Sequence, residues 1–323
     1  MIIGLIDVDG GHRFPSIPLM KLSSYHKSLG DRVEWYMPFN NKYDIVYLSK
    51  VFSFSPDYED CINADKVIRG GTGYCITLEN GKEVYHKELD KELPPEIEHI
   101  YPDYSLYPSL TRDTAYGLLT RGCPRGCDFC IVGKKEGRCS YKVADLAEFW
   151  GGQKNIVLCD PNILACKDWK DLLQQLIDSK ACVDINQGLD IRFMTEEKAE
   201  MLSLIKMKEV HFAWDRYEDK ALILPKLKMY AEITKQKPHS HSAIVYTLVN
   251  FSTTLEQDLE RIYTLRDMGY WAYVTIYDKA HCAPIYKRLQ RWVNNRFIFG
   301  KCKKFEDYGK ASVSETFIEQ NLF

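Results

Sequence analysis

The sequence predicts an α/β chain, a small Rossmann-like parallel-sheet domain followed by a partial (β/α)6 TIM-type barrel. Three observations carry that expectation. Short apolar strands alternate with helically spaced segments along most of the chain. A polar, proline-bearing stretch from Glu92 to Pro108 separates two such series. The second series holds six strands with five helices between them, which calls for parallel strands joined by right-handed crossovers.

In the first series Ile2 to Ile6 reads as a strand, and Ile17 to Leu29 as a helix that stops at Gly30. Val33 to Tyr36, Ile45 to Leu48 and Val67 to Ile68 read as further short strands. Gly70-Gly71-Thr72-Gly73 permits a tight turn and close backbone approach, as ligand-binding loops need, although such clusters are mostly plain turns. The expected boundaries are 1–108 for this domain and its linker, 109–280 for the barrel and 281–323 for a helical C-terminal extension.

The barrel strands are expected at Gly117 to Thr120, Asn155 to Cys159, Val183 to Ile185, Glu209 to Ala213, Ala243 to Val249 and Trp271 to Tyr277. Helices are expected at Val143 to Trp150, Trp169 to Ser179, Thr195 to Lys206, Lys220 to Thr234 and Leu255 to Met268, with a last one at Pro284 to Val293. Thr195 and Thr253-Thr254, each followed by an early acid, suit helix N-termini. Chemistry in such an array belongs at the C-terminal ends of the strands.

Composition bounds the function. The 323 residues are 45% hydrophobic and 27% charged, the balance of a soluble globular protein. A net charge of -2 gives no global reason to expect a nucleic-acid or membrane partner. No apolar run is long enough to span a bilayer, and the N-terminus reads as a strand rather than a signal peptide, so a cytoplasmic location is expected. Between Asp278 and Glu306 every charged residue is basic (Lys279, Lys287, Arg288, Arg291, Arg296, Lys301, Lys303 and Lys304). That bias fits either a phosphate-binding footprint or a solvated face.

An odd count of 11 cysteines without a secretion signal argues against a disulfide framework. Three of them fall within Arg121-Gly122-Cys123-Pro124-Arg125-Gly126-Cys127-Asp128-Phe129-Cys130. Thiolates at this spacing in a glycine-rich loop can converge on three irons of a cubane and leave the fourth iron open to a small chelating molecule. Zinc is the competing reading, but a structural zinc site wants four closed ligands, usually in two spaced pairs. Here Cys139 stands alone downstream.

With its aromatic before the last cysteine, this loop resembles the signature of the radical S-adenosylmethionine (SAM) superfamily, especially the branch with an N-terminal cobalamin-binding-like (B12-binding-type) domain. The resemblance implies that Cys123, Cys127 and Cys130 ligate a [4Fe-4S] cluster and that Phe129 packs on the adenine of SAM. It also implies that the amino and carboxylate groups of SAM chelate the open iron. Reductive cleavage would then yield a 5′-deoxyadenosyl radical under anaerobic conditions, with a flavodoxin or ferredoxin as electron donor.

The family's Gly-Gly-Glu after the second barrel strand is absent. Asp160 is the matching carboxylate and Asn162 a neutral partner, with a turn or capping role as the alternative for each. After the third strand, Gln187 and Arg192 are the SAM-binding candidates, and Arg192 suits the SAM carboxylate or an ion pair with Asp190. Asp215 is the candidate acid after the fourth strand.

Cobalamin domains of this branch usually carry Asp-x-His-x-x-Gly. Here Asp7-Val8-Asp9-Gly10-Gly11-His12 departs from it in a short domain, so a degenerate domain without cobalamin is expected. The expected activity is a radical SAM enzyme acting on an unidentified small molecule, peptide or RNA. The alternative is a binding or regulatory protein that keeps the cluster without radical chemistry.

Overall fold

The computed structural model describes residues 1–39, 41–79, 82–238 and 242–309. The chain divides into two compact units, one of Met1–Gln187 with Leu204–Met207, the other of Gly188–Ser203 with the chain from Lys208 onward. The stretch read as a linker lies inside the first unit.

The first unit opens with four parallel strands, β1 (Ile2–Asp7), β2 (Arg32–Trp35), β3 (Tyr43–Ser49) and β4 (Ala64–Gly70), in the order β2-β1-β3-β4. β1 is apolar on both faces because both are covered. Ile3 and Leu5 pack with Leu19 and Leu22 of α1 (Ile17–Ser28), and Ile6 packs with Tyr43, Val46 and Leu48. Ser16 caps α1 by accepting from the Leu19 amide, a device worth about 1 kcal/mol.

The glycine cluster after β4 has a packing explanation. A Cβ on Gly71, at φ +102°, would lie 2.3 Å from the Lys50 carbonyl oxygen, and one on Gly73 would lie 2.6 Å from the Lys50 side chain. Only glycine lets this turn press against the exit of β3. A hairpin follows, β5 (Ile76–Glu79) with β6 (Lys82–Tyr85). Next come the short helices α2 (Pro95–Glu98) and α3 (Pro108–Thr111). The segment around them is packed rather than loose. The Tyr104 hydroxyl donates to the Phe149 carbonyl at 2.6 Å and accepts from the Tyr116 amide at 3.1 Å, while the Tyr107 hydroxyl donates to Asp7 at 2.7 Å.

A second parallel sheet, ordered β11-β10-β7, consists of β7 (Thr114–Gly117), β10 (Asn155–Leu158) and β11 (Cys182–Ile185). Between β7 and β10 lie β8 (Thr120–Arg121), α4 (Val132–Lys135) and β9 (Tyr141–Lys142), with β8 and β9 antiparallel. α5 (Trp169–Ser179) joins β10 to β11. Two expectations fail here. The first barrel strand ends at Gly117 instead of starting there, because Leu119 and Thr120 are drawn off to bond Asp160. The helix expected over 143–150 is reduced to one 3-10 turn at Leu146–Glu148, because the Val143 amide donates to the Leu119 carbonyl at 2.8 Å and Phe149 leaves the helical region at φ -137°.

The second unit carries α6 (Glu196–Leu204), β12 (Val210–Ala213), α7 (Lys220–Ile233), β13 (Ala243–Val249), α8 (Leu255–Asp267), β14 (Trp271–Ile276), α9 (Pro284–Asn294) and α10 (Arg296–Lys301); α6 ends in the first unit. Its sheet is parallel in the order β12-β13-β14. Phe212 meets the rings of Tyr230 and Tyr270 on one face, and Trp292 of α9 packs on Tyr263, Phe299 and Phe305. Part of the basic bias of 279–304 is absorbed internally. Arg288 lies 4.7 Å from the centre of the Phe305 ring, and Arg296 pairs with Glu209 at 3.7 Å. The end of the expected C-terminal extension, 310–323, falls outside the described residues. Among those described, no helix is long and apolar enough to cross a membrane.

Candidate metal centre

The three-cysteine loop leaves β8, directly after the first strand of the β11-β10-β7 sheet. Its shape depends on two glycines. Gly122 is buried at φ +76°, and a Cβ there would sit 2.1 Å from the Cys139 carbonyl oxygen. Gly126, at φ +56°, lies under the Arg138 guanidinium. The Cys123 amide donates to the Gly137 carbonyl at 3.1 Å and the Cys130 amide to the Cys127 carbonyl at 3.0 Å. Glu136 closes the base of the loop by accepting from the Gly122 amide at 3.0 Å and pairing with Arg121, which also holds Glu98 at 3.1 Å. Burial works against the Arg121 charge, and Glu98 and Glu136 outweigh it. At the far end, Lys135 of α4 bonds Asp90 at 3.0 Å and Thr72 at 3.1 Å, tying the loop to the glycine turn after β4.

Cys123, Cys127 and Cys130 are all of intermediate exposure and none is in a disulfide. Among the described residues no three His, Cys, Asp or Glu side chains are arranged to grip a metal ion, so a closed zinc site finds no support. A cubane asks for something else, three thiolates on three separate irons with hydrogen bonds to sulfur. The donor set fits that group: three accessible thiols on one glycine-shaped loop, with the Asn162 amide donating to Cys123 Sγ at 3.4 Å.

The strand ends modify the expected SAM contacts. Asp160 is fully buried, and its carboxylate accepts from the Leu119 amide at 3.1 Å, the Thr120 amide at 2.5 Å and the Thr120 hydroxyl at 2.7 Å. Burial pushes its pKa up to about 6, against these donors. Asp160 is thus engaged by the backbone leading into the thiol loop, an anchoring role that the sequence reading did not assign. Asn162, 1% exposed, also accepts from the Ser140 hydroxyl through its carbonyl at 2.8 Å. Gln187 is exposed just beyond β11, and Phe129 is half-buried.

In the second unit Arg192 pairs with Asp190 at 2.6 Å and Asp219 at 2.8 Å, with its side chain 8% exposed. The ion pair with Asp190, one of the two readings of Arg192, is present, with Asp219 as a second partner. Burial opposes its charge, and the two aspartates more than compensate. Asp215, half-buried after β12, keeps a carboxyl raised by burial, with Arg192 and Arg261 pulling it back down. Two further residues emerge that the sequence reading missed. Arg261 of α8 donates to the Asp215 carbonyl at 2.9 Å and the Leu248 carbonyl at 2.7 Å, and Lys135 makes the tether described above. Two opposite charges three residues apart, Asp258 and Arg261, on the helical stripe that also holds Ile262 and Leu265 were the available signal for Arg261.

The sequence matches no family model and no curated protein. Among solved structures the chain is similar to the radical S-adenosylmethionine methyltransferase TsrM from Kitasatospora setae, determined with cobalamin and a [4Fe-4S] cluster bound. The likeness has a TM-score of 0.61 at 11% identity, over 85% of this chain and 74% of that one. The chain therefore shares the fold of that methyltransferase. The expectation of a cobalamin-free N-terminal domain gains no support from it, because a protein of the same fold carries cobalamin.

Proposed function

We propose that this chain is a radical SAM enzyme in which Cys123, Cys127 and Cys130 hold a [4Fe-4S] cluster. The observation that carries the reading is three half-buried thiols, none in a disulfide, on one glycine-shaped loop directly after the first strand of a parallel sheet, in a chain with this fold. Such a cluster, once reduced by a flavodoxin- or ferredoxin-type donor, supplies the electron that cleaves the carbon–sulfur bond of SAM. The chain's residues bind and orient. Phe129 offers a flat surface to the adenine beside the last thiol. Gln187 offers a neutral hydrogen bond, and Asp215 a carboxylate for the SAM amino group. Arg192 braces its aspartates, and Asp160 fixes the strand from which the loop departs.

The test is anaerobic. Reconstituted, dithionite-reduced protein given SAM should release 5′-deoxyadenosine, and Asp215→Asn should weaken SAM binding roughly ten-fold to a hundred-fold, the loss of one shielded charged hydrogen bond. A fully loaded protein that leaves SAM intact would overturn the enzyme reading in favour of a cluster-bearing regulatory protein.

A second reading, methyl transfer through cobalamin, is favoured by the cobalamin in TsrM and by the sheet order. The order β2-β1-β3-β4 reverses at β1/β3, and ligands of such sheets bind beyond the strand ends at that point. On this reading, protein purified from cells supplied with hydroxocobalamin should show a stoichiometric corrinoid spectrum. A corrinoid-free protein removes it.

A further inference from the structure

We propose that Asn162 sets the reduction potential of the cluster by donating its side-chain amide to the Cys123 thiolate. The inference rests on the reading that these thiols hold a [4Fe-4S] group, and it concerns a residue outside the ligand loop. Three observations carry it. The Asn162 Nδ2 lies 3.4 Å from Cys123 Sγ, within hydrogen-bond reach of sulfur. Asn162 is 1% exposed, so water does not compete for the contact. Its geometry is fixed from both sides of the loop. Two residues earlier, Asp160 clamps Leu119 and Thr120 on the entry to the loop. The Asn162 carbonyl itself accepts from Ser140 on the exit, at 2.8 Å. The segment Asp160-Pro161-Asn162 therefore works as a bracket across the two flanks of the loop and delivers one neutral donor to one ligand sulfur.

The direction of the effect follows from charge. Reduction adds an electron to the cluster and its thiolates, and a donor to sulfur stabilises the more negative state, so it raises the potential. Removing the donor favours the oxidised form. Asn162 is thus a positioning and tuning residue that acts through Cys123.

The test is an EPR-monitored redox titration of the anaerobically reconstituted protein, with iron analysis and thermal melts run in parallel. Asn162→Leu should keep its iron and its melting temperature while the ratio of reduced to oxidised cluster at fixed potential falls about ten-fold, a shift of about 59 mV for one electron. Asn162→Asp, which keeps the volume and sets an acceptor against the sulfur, should shift further the same way. An unchanged midpoint in a loaded Asn162→Leu protein overturns the inference. Should that protein take up no iron, the midpoint of Asn162→Asp decides, and one equal to wild type overturns it. A wild-type chain that forms no four-iron cluster overturns the cluster reading, and this inference with it. A wild-type cluster with an indifferent Asn162 overturns the inference alone.

Discussion

Anaerobically reconstituted wild-type protein should carry about four irons per chain, as a cubane requires, and the Cys123→Ala/Cys127→Ala/Cys130→Ala protein should carry none and lose the broad visible absorbance. Each single replacement should lose most of it, because three irons need three thiolates. Two of the other cysteines are poorly placed to substitute. The Cys159 thiol is pushed up to about 12 by burial, which keeps it protonated at neutral pH, and Cys166 is buried. A geometric control separates thiol count from loop shape. Gly122→Ala keeps all three thiols but drives a Cβ into the Cys139 carbonyl oxygen, 2.1 Å away, from a backbone at φ +76°. It should therefore also lose most of its iron, whereas the wild-type loop accommodates the turn without strain. Full iron retention in the triple cysteine variant would sink the assignment of the centre.

The parts of this fold that were legible in the sequence are those whose pattern is local. β13, Ala243–Val249, is a continuous run of strand formers buried on both faces, and α5, Trp169–Ser179, is a clean amphipathic helix. Both appear with the bounds their sequences predict. The first barrel strand was misplaced because Gly117-Leu118-Leu119-Thr120 is apolar enough to be a strand, yet the Asp160 carboxylate, some 40 positions on, captures the Leu119 and Thr120 amides. Local pattern cannot reveal a bond of that span. The β5–β6 hairpin was within reach, since Asn80-Gly81 between alternating residues is a strong hairpin signal. The thiol loop was legible because spacing within eight residues is itself the chemistry. The strand-end charges were not. Asp160 and Arg192 look alike in sequence to ligand-binding groups, and only the structure reveals that each is engaged, one by amides and the other by Asp190 and Asp219.

Replacing Arg261 with methionine should destabilise the protein by about 3–5 kcal/mol, the loss expected when one partner of a buried ion pair is removed. Arg261 and Asp258 have no exposed side-chain surface, and they pair within α8. Arg261 also donates to the carbonyls of Trp214, Asp215 and Leu248, at the ends of β12 and β13. Methionine leaves the Asp258 carboxylate buried without its counter-charge. It also strips donors from three carbonyls, and that desolvation cost is part of the same loss. The neutral pair Asp258→Leu/Arg261→Met removes the first penalty but not the second, so it should recover only part of the loss. Lys228–Glu232 is the contrasting case, an i,i+4 pair with both side chains more than two-thirds exposed. Lys228→Ala should change stability by less than about 1 kcal/mol. Urea denaturation followed by circular dichroism measures all three. Because Arg261 holds the backbone at Asp215, the Arg261→Met protein should also bind SAM more weakly under conditions where it remains folded. A loss below about 1 kcal/mol for Arg261→Met would mean that water, rather than the arginine, satisfies those strand ends.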